Sequence, residues 1–162
     1  MTGQLRRHVL LVTDGSLYSQ RAVRYFSKFP LPEKVEVRLM HILPPLTQPI
    51  IMEPYFGGRD AYVPLHTPEE EAKIKAKQER EAETLLNRTR DLLLKKGIKS
   101  TPVLARGDAA TEIIEYTDKE DIDLIVAGSR GLSQFKGWLM GSVSRKLVHY
   151  SHCSVLIVKQ SE

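Results

Sequence analysis

Short, unbroken runs of branched apolar residues recur along this chain, and helical spacing follows most of them. The first run, Val9-Leu10-Leu11-Val12, is bounded by Thr13-Asp14-Gly15-Ser16. A run without polar alternation is what a strand buried on both faces looks like. Ser16 then suits an N-cap, and Ala22, Val23, Phe26 and Phe29 recur at helical spacing until Pro30 stops the pattern. Val35–Leu43 reads as a second strand, Lys99–Ala105 as a third, Ile122–Ala127 as a fourth ending at Gly128, and Val155–Val158 as a fifth. Arg106-Gly107-Asp108 turns into a helix capped by Asp108, with Ile113, Ile114 and Thr117 on one face. Ser142–Tyr150 reads as a short helix with Val143, Leu147 and Tyr150 on a stripe. Strands alternating with helices predict the α/β class, with right-handed crossovers and one parallel sheet covered on both faces.

One segment breaks the alternation. Six of the nine prolines fall between Pro44 and Pro68, with Gly57-Gly58 among them. Proline removes donors and breaks both helix and ladder, so residues 44–68 read as a loop excursion long enough to be a lid or a contact surface. Thr67-Pro68-Glu69-Glu70 then opens a helix: Thr67 caps, Pro68 takes the first helical position and Glu70 completes a capping box. The pattern predicts a helix over 68–96 with Gly97 as its stop. Ala82, Leu85, Leu86, Leu92 and Leu93 give its second half an apolar stripe, while the charged first half is expected to project from the body.

A chain of 162 residues fits one domain, 1–162, and is too short for two ordinary ones. With 41% hydrophobic and 27% charged residues the composition is globular. The longest purely apolar stretches are about four residues against the roughly 20 of a bilayer span, which excludes a membrane-spanning reading. Met1 to His8 is basic but carries no signal-peptide core, and the single cysteine, Cys153, has no internal disulfide partner. The expected compartment is therefore the cytoplasm. The formal charge of +4 comes from interleaved signs; the densest charged run, Glu69 to Arg90, reads as a solvated helix face, not a nucleic-acid surface.

In an open parallel sheet, ligands bind beyond the carboxyl ends of the strands, so the turns there are the candidates. The turn after the fourth strand is the most distinctive: Gly128-Ser129-Arg130-Gly131, nine residues, then Gly141-Ser142-Val143-Ser144 opening a helix. Glycines let a backbone approach a ligand closely, and a helix N-terminus offers unsatisfied N–H groups and a positive dipole end. The pattern reads as a phosphate site, with the Ser142 and Ser144 hydroxyls as added donors and Arg130 as an added positive charge.

With that Gly-x2-Gly-x9-Gly-Ser spacing the chain resembles the universal stress protein family, in its ATP-binding branch. The likeness includes Thr13-Asp14-Gly15-Ser16, His41-Ile42, Arg106-Gly107-Asp108, Val126 to Gly131 and the closing Cys153 to Val158. The resemblance implies a Rossmann-like three-layer sandwich, of the adenine nucleotide alpha hydrolase type, with a five-stranded parallel sheet in the order 3-2-1-4-5. It implies that Thr13 and Asp14 meet the adenosine end of a nucleotide and that Ile42 and Ala127 line its base. Gly128, Gly131, Gly141, Ser142, Val143 and Ser144 would hold ribose and phosphates. Because a carboxylate repels phosphate, Asp14 is expected at the opposite end of the pocket. The implied cofactor is ATP with Mg2+, and the implied assembly is a homodimer through Ser154–Val158, an apolar edge strand suited to pairing.

Other chemistries fit less well. His149-x2-His152-Cys153 lacks the second cluster that tetrahedral zinc needs. Asp14 and Asp108 are not the adjacent carboxylates of a magnesium-dependent phosphoacceptor. The turn after the first strand is not the glycine-rich loop of an ATP pyrophosphatase, and His8 and His41 have no evident nucleophile partner. The expected function is an ATP-binding signalling module in the stress response that acts through occupancy. The alternatives are slow ATP hydrolysis or autophosphorylation on Ser142 or Ser144, and a nucleotide-free dimeric interaction protein. Phe135 and Trp138, inside the nine-residue spacer, read as packing residues.

Overall fold

The structure is a computed structural model, and it describes residues 7–32, 34–46, 67–131 and 140–159. In chain order the elements are β1 (Arg7–Val12), α1 (Leu17–Phe26), β2 (Val35–Leu43), α2 (Pro68–Leu94), β3 (Ser100–Arg106), α3 (Ala109–Lys119), β4 (Leu124–Gly128), α4 (Ser142–Tyr150) and β5 (Ser154–Val158). The strands form one parallel sheet in the order β3-β2-β1-β4-β5, as the family resemblance implies.

Strand alternation divides the core between the two faces. Val9 and Leu11 of β1 join Leu39 of β2 and Val126 of β4 beneath α1 and α2, against Val23, Phe26, Leu86 and Leu93. Leu10, Met40, Ile125 and Ala127 face the other way, against Ile113 of α3 and Leu147 of α4. Burial on both faces is why β1 and β4 carry continuous apolar runs. The order of connection reverses between β1 and β4, and that is where the site lies.

Helix starts follow their caps. Ser16 accepts from the Ser19 N–H, Thr67 and Glu70 form the full capping box, and Asp108 accepts from the Thr111 N–H. In α2 only Ala82, Leu86 and Leu93 are buried, so the first half of the helix carries none of its core contacts. Arg106, at the end of β3, donates to the Pro44 carbonyl at 2.8 Å and to Gln78 Oε1 at 2.6 Å. It thereby ties the start of the proline-rich stretch to α2; residues 47–66 lie outside the described residues.

Several boundaries differ from expectation. Phe29 lies beyond α1 and is 45% exposed, its ring edge-on to Tyr25 at 5.2 Å. The Ser27 N–H closes the helix on the Val23 carbonyl and the Lys28 N–H on that of Tyr25, and a residue preceding proline is pushed away from helical angles. Tyr150 ends α4 with 59% exposure instead of completing the stripe. The α2 helix stops at Leu94, before Lys96; Gly97, at φ +79°, follows, and the Ile98 N–H turns back to the Leu93 carbonyl. β4 begins at Leu124 because Asp121, at φ +48°, makes a turn in which the Ile122 N–H reaches the Thr117 carbonyl. No helix among the described residues is long and apolar enough to cross a membrane.

Candidate functional site

At the carboxyl ends of β1 and β4 a cavity of about 230 Å3 opens between the two sequence neighbourhoods singled out above. Thr13, Asp14, Ile42, Ala127, Gly128, Arg130, Gly131, Gly141, Ser142, Val143 and Ser144 all line it. These eleven come from three strand ends and one helix start, up to 131 positions apart in the chain (144 − 13).

The β1 side is a tight turn. The Thr13 N–H donates to the Met40 carbonyl at 2.9 Å, one bond beyond the last paired residues Val12 and Met40. Asp14 Oδ1 accepts from the Ser16 N–H at 3.0 Å. Ser19, 4% exposed, accepts from the Asp14 N–H at 3.3 Å and donates to the Ser16 carbonyl at 3.0 Å. Gly15 takes φ +78° beneath Leu85.

The β4 side is built from main chain. A Cβ at Gly128 would lie 2.7–2.8 Å from backbone atoms of Tyr18 and Ser19, so the bare position lets α1 pack directly on β4. The Ser129 N–H donates to the Val158 carbonyl at 3.0 Å, and the Ser129 carbonyl accepts from the Gly141 N–H at 2.7 Å. That last bond draws the two ends of the nine-residue spacer together; Phe135 and Trp138 lie outside the described residues. Gly141 is the N-cap of α4 and carries no side chain to fold over the helix end. The N–H groups of Ser142, Val143 and Ser144, with no intrahelical acceptor, therefore open on the cavity with the positive end of the dipole.

Two details depart from the sequence reading, the Ser144 hydroxyl and the place of Asp14, while Arg130 is in the wall as nominated. The Ser144 hydroxyl is buried and donates to the Gly128 carbonyl at 2.9 Å, so it ties α4 to β4 and is not a free donor; the exposed serine is Ser142. The Arg130 guanidinium lies over the Tyr18 ring, 5.7 Å from its centroid. Asp14 is not at the end away from the glycines, because a Cβ on Gly131 would stand 2.8 Å from Asp14 Oδ2. The first turn and the glycine turn touch across the cavity, a closeness set by how α1 seats on Gly128 and invisible in spacing.

The sequence reading also missed Val12, Ser19, Ala109, Ile113 and Leu147, which complete the wall. Ile113 and Leu147 were identified only as helix-stripe residues, and the same periodicity points them at the cavity floor. Elsewhere, His152 Nδ1 lies 3.2 Å from Asp118 Oδ1, and burial pushes the Cys153 thiol above its usual range. Among the described residues no three His, Cys, Asp or Glu side chains converge as a metal set.

A sequence model of the universal stress protein family matches residues 5–159. Universal stress protein YxiE of Bacillus subtilis (strain 168) is 29% identical over 151 residues, covering 93% of this chain and 97% of that protein. The structure of universal stress protein UspA from Lactobacillus plantarum has a TM-score of 0.76 to this one at 15% identity, covering 95% of this chain and 98% of that one. A universal stress protein family protein from Arabidopsis thaliana, At3g01520, solved with AMP bound, has a TM-score of 0.65 at 17% identity, covering 96% of this chain and 92% of that one. At these identities the solved structures establish the fold, and the match over 5–159 establishes the relationship: the chain belongs to the universal stress protein family.

Proposed function

We propose that this protein binds an adenine nucleotide, ATP in our reading, in the cavity between β1 and β4, and acts as a stress-response signalling module through occupancy. The observation that carries the reading is the cavity itself: its wall combines apolar side chains, Val12, Ile42 and Ile113 among them, with the uncapped α4 N-terminus. An apolar slot suits a purine and free amides suit phosphate. A relative of this fold with AMP bound supports the same ligand class. The volume of about 230 Å3 falls below the roughly 300–1,000 Å3 that encloses a drug-sized ligand, so in this reading a nucleotide is only partly enclosed. Asp14, beside Gly131, is then at the ribose, where a carboxylate accepts from vicinal hydroxyls. Among the described residues Asp14 is the single carboxylate of the wall, so Mg2+ would be held mainly by the phosphates.

Occupancy signals only if ATP binds two conformations with different affinity. The free edge of β5 is the surface we assign to pairing with a second copy, and the expected compartment is the cytoplasm. The test is mass spectrometry of what copurifies, combined with melting. ATP at 100 times its dissociation constant should add about 2.7 kcal/mol, roughly 5–10 °C for a chain this size. No copurifying adenylate and no shift with ATP would defeat the reading. Rapid phosphate release abolished by Ser142→Ala would replace it with an enzyme.

A further inference from the structure

Resting on that nucleotide reading, we infer that His41 is a positioning residue: with Ser19 it clamps the Thr13–Asp14 peptide plane and so aims the Asp14 carboxylate at the ribose position. His41 is not in the cavity wall. It alternates with Met40 and Ile42, which face α3 and α4, and shares the α1/α2 side of β2 with Leu39. From there its Nδ1 lies 2.7 Å from the Thr13 carbonyl. A carbonyl only accepts, so Nδ1 carries the hydrogen and donates.

The Thr13 carbonyl and the Asp14 N–H belong to one planar peptide unit. Its carbonyl is held by His41, and its N–H donates to Ser19 Oγ at 3.3 Å from α1 on the other side. The β1–β2 register ends at Val12 and Met40, so the plane lies just past the ladder and depends on these side chains. Rotating it breaks both bonds. With the plane fixed and Oδ1 engaged by the Ser16 N–H, Oδ2 is left toward Gly131. Locking a binding group by bonds from behind is how a site is preorganised.

The test uses the whole chain with ATP and 2′,3′-dideoxy-ATP as probes in titration calorimetry, and amide exchange at Asp14 and Gly15 without ligand. His41→Leu removes the donor, whereas His41→Asn places an amide nitrogen where Nδ1 stands. His41→Leu should weaken ATP about tenfold, leave dideoxy-ATP unchanged, and speed exchange at both amides about tenfold. His41→Asn should stay within about twofold of wild type on every reading. Equal weakening of both nucleotides by His41→Leu, or no rescue by asparagine, would make His41 a packing residue and overturn the inference.

If wild type binds neither nucleotide, the nucleotide reading fails and the exchange data alone decide the clamp: unchanged rates in His41→Leu overturn it. If His41→Leu does not fold, Ser19→Ala releases the same peptide from the other side and should show the same ATP-selective loss. Nitrogen NMR of the wild-type ring needs no variant, and a hydrogen on Nε2 with Nδ1 bare would also refute the clamp.

Discussion

Alanine at Gly128 and alanine at Gly131 should separate stability from ligand binding. At Gly128 the new methyl would meet three backbone atoms of Tyr18 and Ser19 at 2.7–2.8 Å. Those atoms form the first turn of α1, which cannot move without lifting the helix from β4. Overpacking of this kind costs about 1–3 kcal/mol. Taking ~2 kcal/mol, and roughly 2–4 °C per kcal/mol for a chain of this length, Gly128→Ala should melt about 4–8 °C lower without any ligand.

At Gly131 the single close atom among the described residues is Asp14 Oδ2, at 2.8 Å, the end of a rotatable side chain. Oδ2 can turn aside while Oδ1 keeps its bond from the Ser16 N–H, so the ligand-free melting temperature should stay within about 1–2 °C of wild type. Displacing a charged acceptor, worth about 1.5–3 kcal/mol, should weaken ATP roughly 10- to 150-fold. Differential scanning fluorimetry and titration calorimetry on both variants give the four numbers. If Gly131→Ala lowers ligand-free melting as far as Gly128→Ala, or keeps wild-type ATP affinity, the placement of Asp14 against the glycine turn is wrong.

Further outcomes follow from the same contacts. Ser144→Ala loses the bond to the Gly128 carbonyl and should lower the urea-unfolding free energy by about 1 kcal/mol. Asp108 is held below the ordinary 3.8 first by the Thr111 hydroxyl, then by the Thr111 N–H, with Lys146 adding attraction. Because the folded value is depressed, its contribution is present above pH ~4 and lost as pH falls through the folded value. The stability gap between wild type and Asp108→Asn in urea titrations should therefore be present at pH 7 and close on acidification below that window. Thr67→Ala removes half of a capping box worth about 1 kcal/mol. With no buried residue before Ala82 in α2, amides of its first turns should exchange faster while the global urea midpoint stays put.

What was legible in the sequence was what depends on local periodicity. The branched runs at Val9 and Leu124 read as doubly covered strands, and Ser16, Thr67 and Asp108 cap because cap chemistry is decided within about four residues. The failures come where tertiary context takes over. Phe29 fits helical spacing, but Pro30 denies it helical angles and leaves it exposed against Tyr25. Tyr150 satisfies the α4 stripe on spacing alone and is exposed all the same. The strand order came from family resemblance, since alternation of strands and helices is compatible with several orders.

The site shows the same division. All eleven nominated residues meet in one cavity, because strand ends of a parallel sheet necessarily meet at one edge. Sequence, however, assigned every glycine of the motif one reason, a ligand's need for bare backbone, and the structure gives them different ones. Gly128 is bare because α1 lies on it, and Gly131 because Asp14 does. At Gly141 an added Cβ would meet nothing nearer than 3.4 Å among the described residues, and there the helix N-terminus itself supplies the donors. Two of the three glycines thus bring the first turn against the fourth strand. A carboxylate expected at the far end of the pocket then sits beside the glycine turn, and in the nucleotide reading the ribose hydroxyls come to it while the phosphates go to the α4 N-terminus.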